Sequence, residues 1–171
     1  APKVVLHDPL AGGLSLTTVT EIAAEIVPLI PADSLLFASD EQASKTGSLG
    51  SYLEGFHHTT AVMQRPEDLV RVAREAVEDL ARDGVIYAEL RWAPEQHQGK
   101  GLSLSEAVEC VREGIRLGQA AATREGPPIE VKQILTARRE THRSLEIAQL
   151  AVAERDRGVV GFDIAGAEHG Y

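Results

Sequence analysis

The sequence predicts an α/β fold made of parallel βα units, and three observations carry that prediction. Four short apolar segments, at residues 4–7, 85–92, 129–136 and 159–166, read as strands. Each is separated from the next by enough chain to hold a crossover helix, which parallel pairing requires. Every residue with candidate chemistry falls at the C-terminal end of one of these segments, where parallel α/β folds gather their sites. Those residues are His7, then Glu89 and Arg91, then Arg138 and Arg139, then Asp163 and Glu168.

Taken in order, Val4–His7 is the first strand, closed by the turn residues Pro9, Gly12 and Gly13. Thr17 or Thr18 can cap a helix, with Glu21 completing a capping box from Thr18. Val19, Ile22, Ala23, Ile26 and Val27 recur at helical spacing, and Pro28 and Pro31 stop the run. Asp33–Gly50 is polar and aperiodic, and reads as a connecting loop with short helical turns. A helix is expected over Ser51–Gln64. Another opens at Pro66, with an apolar stripe of Leu69, Val72, Ala73, Ala76, Val77 and Leu80, and ends at Asp83-Gly84.

Val85–Trp92 is the second strand, ending before Pro94. The next helix opens near Ser103 or Ser105 and runs to about Arg124, where Gly126-Pro127-Pro128 breaks it. Ile129–Thr136 is the third strand. Leu145, Ile147, Ala148, Leu150, Ala151 and Val152 mark a further helix, ended by Asp156-Arg157-Gly158, and Val159–Gly166 is the fourth strand.

Composition narrows the partners. The 171 residues suffice for one domain with a core, and at 43% hydrophobic but only 4% aromatic that core is built from Ala, Val, Leu and Ile. A net charge of -9 leaves no basic stripe for a nucleic-acid backbone. No apolar run approaches the roughly 18 residues needed to span a membrane. The single cysteine, Cys110, cannot form an internal disulfide and reads as a small packed hydrophobe on a helix, which fits a reducing, cytoplasmic setting. Ala11-Gly12-Gly13 lacks the G-x-G-x-x-G spacing of a dinucleotide turn.

Four βα units are half of an eight-unit barrel. The expectation is therefore a single domain over residues 1–171 with the architecture of the N-terminal half of a TIM-type (β/α)8 barrel. Such a half leaves two sheet edges open, which predicts a companion chain carrying the C-terminal half, or self-association.

The motifs, taken together, resemble the adenosine deaminase family. Lys3-Val4-Val5-Leu6-His7-Asp8-Pro9-Leu10-Ala11-Gly12 is similar to the family's opening K-V-x-L-H-x-H-L-D-G. Tyr87-Ala88-Glu89-Leu90-Arg91-Trp92-Ala93-Pro94 is similar to its Y-x-E-x-R-x-x-P strand, and Gly161-Phe162-Asp163-Ile164-Ala165-Gly166-Ala167-Glu168 to its G-x-D-x-A-G-x-E. The resemblance covers nearly the whole chain in the right order. It implies a zinc-dependent barrel that hydrolyses the exocyclic amine of adenosine or a related purine, and a further strand between Leu35 and Gln64. In that chemistry zinc lowers the pKa of its bound water, and the resulting hydroxide attacks the purine ring. The cysteine-ligated zinc deaminases are a separate class, excluded by the single cysteine.

Carried over residue by residue, the resemblance makes His7 a zinc ligand and Gly12, Gly166 and Glu168 substrate-binding residues, with the backbone of Gly166 facing the purine. Two positions depart from the pattern. Pro9 stands where the second ligand histidine belongs, and on a strand that i+2 position is what lets two imidazoles share one ion. Ala11 stands where an aspartate binds the sugar hydroxyls. Arg138-Arg139-Glu140 departs too, since the family more often has an arginine followed by a histidine there. The remaining zinc ligands and the proton-donating glutamate belong to the family's second half.

The chain alone is therefore expected to carry no catalytic residue, to hold no zinc by itself and to be inactive. A non-catalytic half-barrel serving as an assembly or ligand-binding partner is the alternative. Glu89 and Arg91 also read as an ion pair tying adjacent strands, and Asp163 as a structural partner for a cation. His57 and His58 read as helical residues without a ligand pair, His97 and His142 as exposed, and His169 as a possible border of a pocket near Gly166.

Overall fold

The computed structural model describes residues 1–26 and 59–167. The described elements are β1 (Lys3–Pro9), α1 (Leu16–Ile26), α2 (Pro66–Arg82), β2 (Val85–Trp92), α3 (Leu104–Glu125), β3 (Glu130–Arg138), α4 (Ser144–Ala153) and β4 (Val159–Ala165). The strands form one parallel sheet in the order β1-β2-β3-β4. This is the α/β half-barrel topology expected: each strand pairs with the next in sequence, and helices fill the crossovers.

β2 shows how the sequence builds the sheet. Ala88, Leu90 and Trp92 are buried on one face, while Tyr87, Glu89 and Arg91 on the other keep partial exposure. The buried set joins Leu69, Val72 and Val77 of α2, Val108 and Val111 of α3, Leu135 and Ala137 of β3 and Ile147 of α4 in a continuous core. α2 and α3 pack very closely, because Gly114 and Gly118 bring α3 against the α2 backbone. A Cβ at Gly114 would overlap Val70 O and Ala73 Cβ. α3 starts where its capping box places it: Ser103 Oγ accepts from Glu106 N at 3.2 Å, and Glu106 Oε2 accepts from Ser103 N at 2.8 Å.

Several local expectations are corrected. The cap of α1 is Ser15, whose Oγ accepts from Thr18 N at 3.0 Å, and Glu21 is drawn away to Arg71 of α2. β3 runs on to Arg138, because Ala137 and Arg138 still pair with Ile164 and Ala165 of β4, and the Arg138 backbone N–H is taken by Glu95 Oε1. The histidine at the first strand's end is not its last residue. β1 continues to Pro9 through an irregularity in register between Val5 and Asp8, and His7 sits in it at φ 70°. β1 is hydrogen-bonded directly to β2, and the strand implied for the 35–64 interval falls largely on residues outside the described ones. The described part of that interval is helical at 59–62; its remainder and the loop over 33–50 lie outside the described residues.

Among the described residues, β1 and β4 each have a single strand neighbour. Most of their large apolar side chains stay in solvent, Val5 and Val159 excepted. Val4 and Leu6 are 58% and 62% exposed, and Val160, Phe162 and Ile164 of β4 are exposed as well.

Candidate functional site

A cavity of about 170 Å³ opens at the C-terminal ends of the strands. β1 and its turn contribute Pro9 and Ala11, β2 contributes Arg91 and Trp92, β3 contributes Thr136 and Arg138, and the end of β4 contributes Ala165 and Gly166. Glu140 closes one side, and Met63 and His97 line another. The volume is below the roughly 300–1,000 Å³ of most small-molecule pockets. The described residues therefore build part of a site.

Beneath the cavity the sheet's open face carries a polar cluster centred on Asp163. His7 Nε2 donates to Asp163 Oδ2 at 2.5 Å, and Arg91 Nε donates to the same oxygen at 3.2 Å. Burial disfavours the charged carboxylate, but the Thr136 hydroxyl, the His7 imidazole and the Arg91 guanidinium outweigh it and hold the Asp163 pKa below its ordinary value. Asp163 is thus the structural partner of a cation, as its strand position predicts. Glu89 and Arg91 do not pair as expected. Arg91 reaches past β3 to β4, and Glu89 accepts from the Tyr87 hydroxyl at 2.9 Å.

The site residues read from the sequence distribute unevenly. Gly166 lines the cavity at φ 105°, its carbonyl accepting from Arg139 Nη1 at 3.0 Å. Gly12 is exposed in the 3-10 turn Leu10–Gly13 beside the cavity. His7 lies in the Asp163 cluster. Glu168, His57, His58 and His169 lie outside the described residues.

His97 corrects an expectation outright. It is 2% exposed, because the 3-10 turn Pro94–His97 tucks the ring near Trp92, with ring centroids 5.6 Å apart. Its Nδ1 donates to Met63 O at 2.8 Å, and burial pushes its pKa down to about 4 against the pull of that carbonyl. Gln64 braces the same wall: its Nε2 donates to Gln96 O at 2.8 Å and its Oε1 accepts from Gly99 N at 2.8 Å. His142 is exposed, as expected.

Sequence reasoning missed Thr136, Trp92 and Glu95 as parts of this rim. Thr136 and Trp92 carried a usable signal, since both sit at strand ends beside residues already singled out. Glu95 carried none, because its role depends on a backbone N–H of another strand.

The donor set does not fit the zinc that the family resemblance implies. The Pro9 side chain carries no donor atom, and Nε2 of His7 is engaged by Asp163. Among the described residues no group of three or more His, Cys, Asp or Glu could hold a metal ion, whereas a catalytic zinc takes about three protein ligands.

Comparisons with known proteins agree with the architecture. The chain matches the protein family described as adenosine deaminase over residues 2–171. It is 57% identical over 175 aligned positions to adenosine deaminase 1 of Streptomyces coelicolor, covering 100% of this chain and 44% of that protein. The structure of an amidohydrolase from Burkholderia ambifaria with bound Zn superimposes with a TM-score of 0.84 at 25% identity, covering 99% of this chain and 45% of that one. The apo N6-methyl-AMP deaminase from Arabidopsis thaliana gives a TM-score of 0.79 at 29% identity, covering 98% and 50%. The chain spans about half the length of the curated relatives it matches.

Proposed function

The chain belongs to the adenosine deaminase family, and from that premise we propose that it supplies the purine-holding, N-terminal half of a deaminase barrel. The reaction is hydrolytic removal of the exocyclic amine of adenosine or a related purine nucleoside. The observation that carries this reading is the rim cavity itself. It lies at the C-terminal ends of four parallel strands, with Trp92 and Met63 offering apolar surface to a flat heterocycle. Arg91 and Gly166 surround it with polar groups whose partners, Asp163 and Arg139, are already fixed.

In this division of labour the chain's residues hold and orient the base. Gly166 has no side chain to fill the floor. Arg139 holds its carbonyl in place, and His97 and Gln64 brace the wall behind Trp92 and Met63. The other half, a companion chain or a second copy, supplies the ligands that the β1 side does not. Sedimentation of the chain alone is expected to show association, and a stable monomer of 18.4 kDa overturns that part. A cytoplasmic setting accords with the lone cysteine.

A second reading has a specific observation in its favour. Pro9 and Ala11 give the β1 side no metal donor and no hydroxyl-binding carboxylate, which suits a half-barrel that binds without catalysing. Metal analysis of the purified protein with any companion chain separates the two. About one zinc per assembled barrel and ammonia release from adenosine support the enzyme; neither zinc nor ammonia leaves the binding partner.

A further inference from the structure

The floor of the cavity is a glycine, and glycine has the freest backbone of any residue. Gly166 follows the last residue of β4 at φ 105°, a left-handed conformation that it has no side chain to hold. What keeps it there comes from outside. Two consecutive side chains of the 3-10 turn Arg139–Thr141, which follows β3, address this one residue. Arg139 Nη1 donates to the Gly166 carbonyl at 3.0 Å. Glu140 Oε2 stands against the Cα, where a Cβ on Gly166 would overlap it.

Glu140 is itself held firmly. Its Oε1 accepts from Arg138 Nη2. The Arg138 backbone N–H donates to Glu95 Oε1 at 2.5 Å, and the Arg138 carbonyl accepts from Thr141 Oγ1 at 3.0 Å. The oxygen against Gly166 is buried and has no hydrogen-bond partner among the described residues. Such an oxygen is costly, and a native structure keeps one where its position matters more than its solvation. Buried in this way, it acts on the cavity through the glycine it touches and not through a ligand. The family resemblance puts a histidine at this position more often than a glutamate, so the contact belongs to this chain's own sequence.

We propose that Glu140 is a positioning residue: through its contact with Gly166 it fixes the backbone at the end of β4, and with it the floor on which a ligand rests. The role rests on the purine reading above and adds to it the group that sets the shape of that floor. Arg139 fixes the direction of the Gly166 carbonyl, and Glu140 takes up the room into which the Cα would otherwise move. Without the carboxylate the glycine is free to turn about its own φ and ψ, and the flexible Arg139 side chain follows the carbonyl. Glutamine keeps the length, the planar end and an oxygen, so it keeps the block. Aspartate keeps the charge but withdraws the oxygen from Gly166, and alanine removes both.

The test uses the full chain, isotope-labelled for magnetic resonance on alanine carbonyls and glycine nitrogens. Only the peptides Ala11-Gly12 and Ala165-Gly166 then give a carbonyl-filtered amide signal, and Gly12→Ala identifies the first. Glu140→Ala and Glu140→Asp are expected to move or broaden the Gly166 signal and leave that of Gly12 in place, and Glu140→Gln to restore it. Purine riboside is then titrated into each variant, with fluorescence of Trp92, the chain's one tryptophan and part of the cavity lining, as the report. It is expected to bind about tenfold more weakly to the alanine and aspartate variants and nearly as before to the glutamine variant. An unmoved Gly166 signal, or an unchanged affinity in Glu140→Ala and Glu140→Asp, overturns the role of Glu140 and leaves the purine reading standing. A wild-type chain that binds no purine riboside overturns the purine reading, and the Gly166 signal alone then decides whether Glu140 fixes the floor.

Discussion

The inner strand pair β2–β3 and the edge strand β1 are built from similar residues and differ in almost every physical respect. β2 and β3 run in unbroken register from Tyr87 opposite Glu130 to Trp92 opposite Leu135, and their buried face is sealed by α2, α3 and α4. Among the described residues β1 pairs on one side, changes register twice against β2, and exposes Val4 and Leu6. At the rim the same contrast becomes chemical. The β2–β3 side meets the cavity with Arg91, Trp92, Thr136 and Arg138, and the β1 side with Pro9 and Ala11. A strand whose neighbours are fixed can hold polar groups in place. A strand with one neighbour holds its side chains only as well as its other contacts allow, and on β1 these are the bond from His7 to Asp163, the Lys3–Asp83 ion pair and the packing of Val5 on the core.

The largest expected effect tests the contrast directly. Leu135 is wholly buried between β2 and the helices, so Leu135→Ala should cost about 3–5 kcal/mol from lost transfer energy and an unfilled cavity. Leu6→Ala removes the same atoms from a site already in solvent and should stay within about 0.5 kcal/mol. Urea unfolding of both variants measures the difference. A costly Leu6→Ala would mean that the β1 face is covered in solution, by a companion chain or a second copy, and would break the contrast between the two regions.

The sequence made the inner region legible and the edge much less so. Alternation in Val85–Trp92, the helical stripe from Leu69 to Leu80 and the Ser103 cap are local signals, and local signals decide structure where pairing is regular. The position of His7 was not legible, because it depends on a carboxylate of β4 far away in the chain and on a register break that no local pattern announces. His97 was misread for a related reason. A polar loop residue after a proline reads as exposed, and only the packed helical residues at 59–62 and the Met63 carbonyl show that it is enclosed. The cavity was legible as a rim of strand ends.

His97 also gives the inner region a pH dependence. Its folded pKa is about 4 against an ordinary 6.5. The unfolded chain therefore binds the proton first as pH falls, and stability drops from about pH 6.5 toward pH 4. Fully expressed, the loss is on the order of 3 kcal/mol. Denaturation series at pH 7, 5.5 and 4.5 should show this slope, and His97→Gln should flatten it at some cost in stability at pH 7. A slope unchanged by that substitution would show that the ring is open to solvent, and the wall behind Trp92 would then be looser than the β2–β3 packing implies.

The smallest effect asks which region owns Asp163. Its two partners come from the two regions: Arg91, largely shielded on β2, and His7, more than half exposed on β1. Solvent screens the second pair more than the first. Double-mutant cycles combining Asp163→Asn with Arg91→Met, and Asp163→Asn with His7→Gln, should give a coupling of about 1–2 kcal/mol for the arginine and under about 1 kcal/mol for the histidine. His7 also spends some of its bond on a left-handed backbone that a non-glycine residue adopts only under constraint, which lowers its net value further. If the histidine coupling is the larger, the edge strand is anchored through the sheet's open face more firmly than through its ladder, and the irregular register of β1 is a consequence of that anchor.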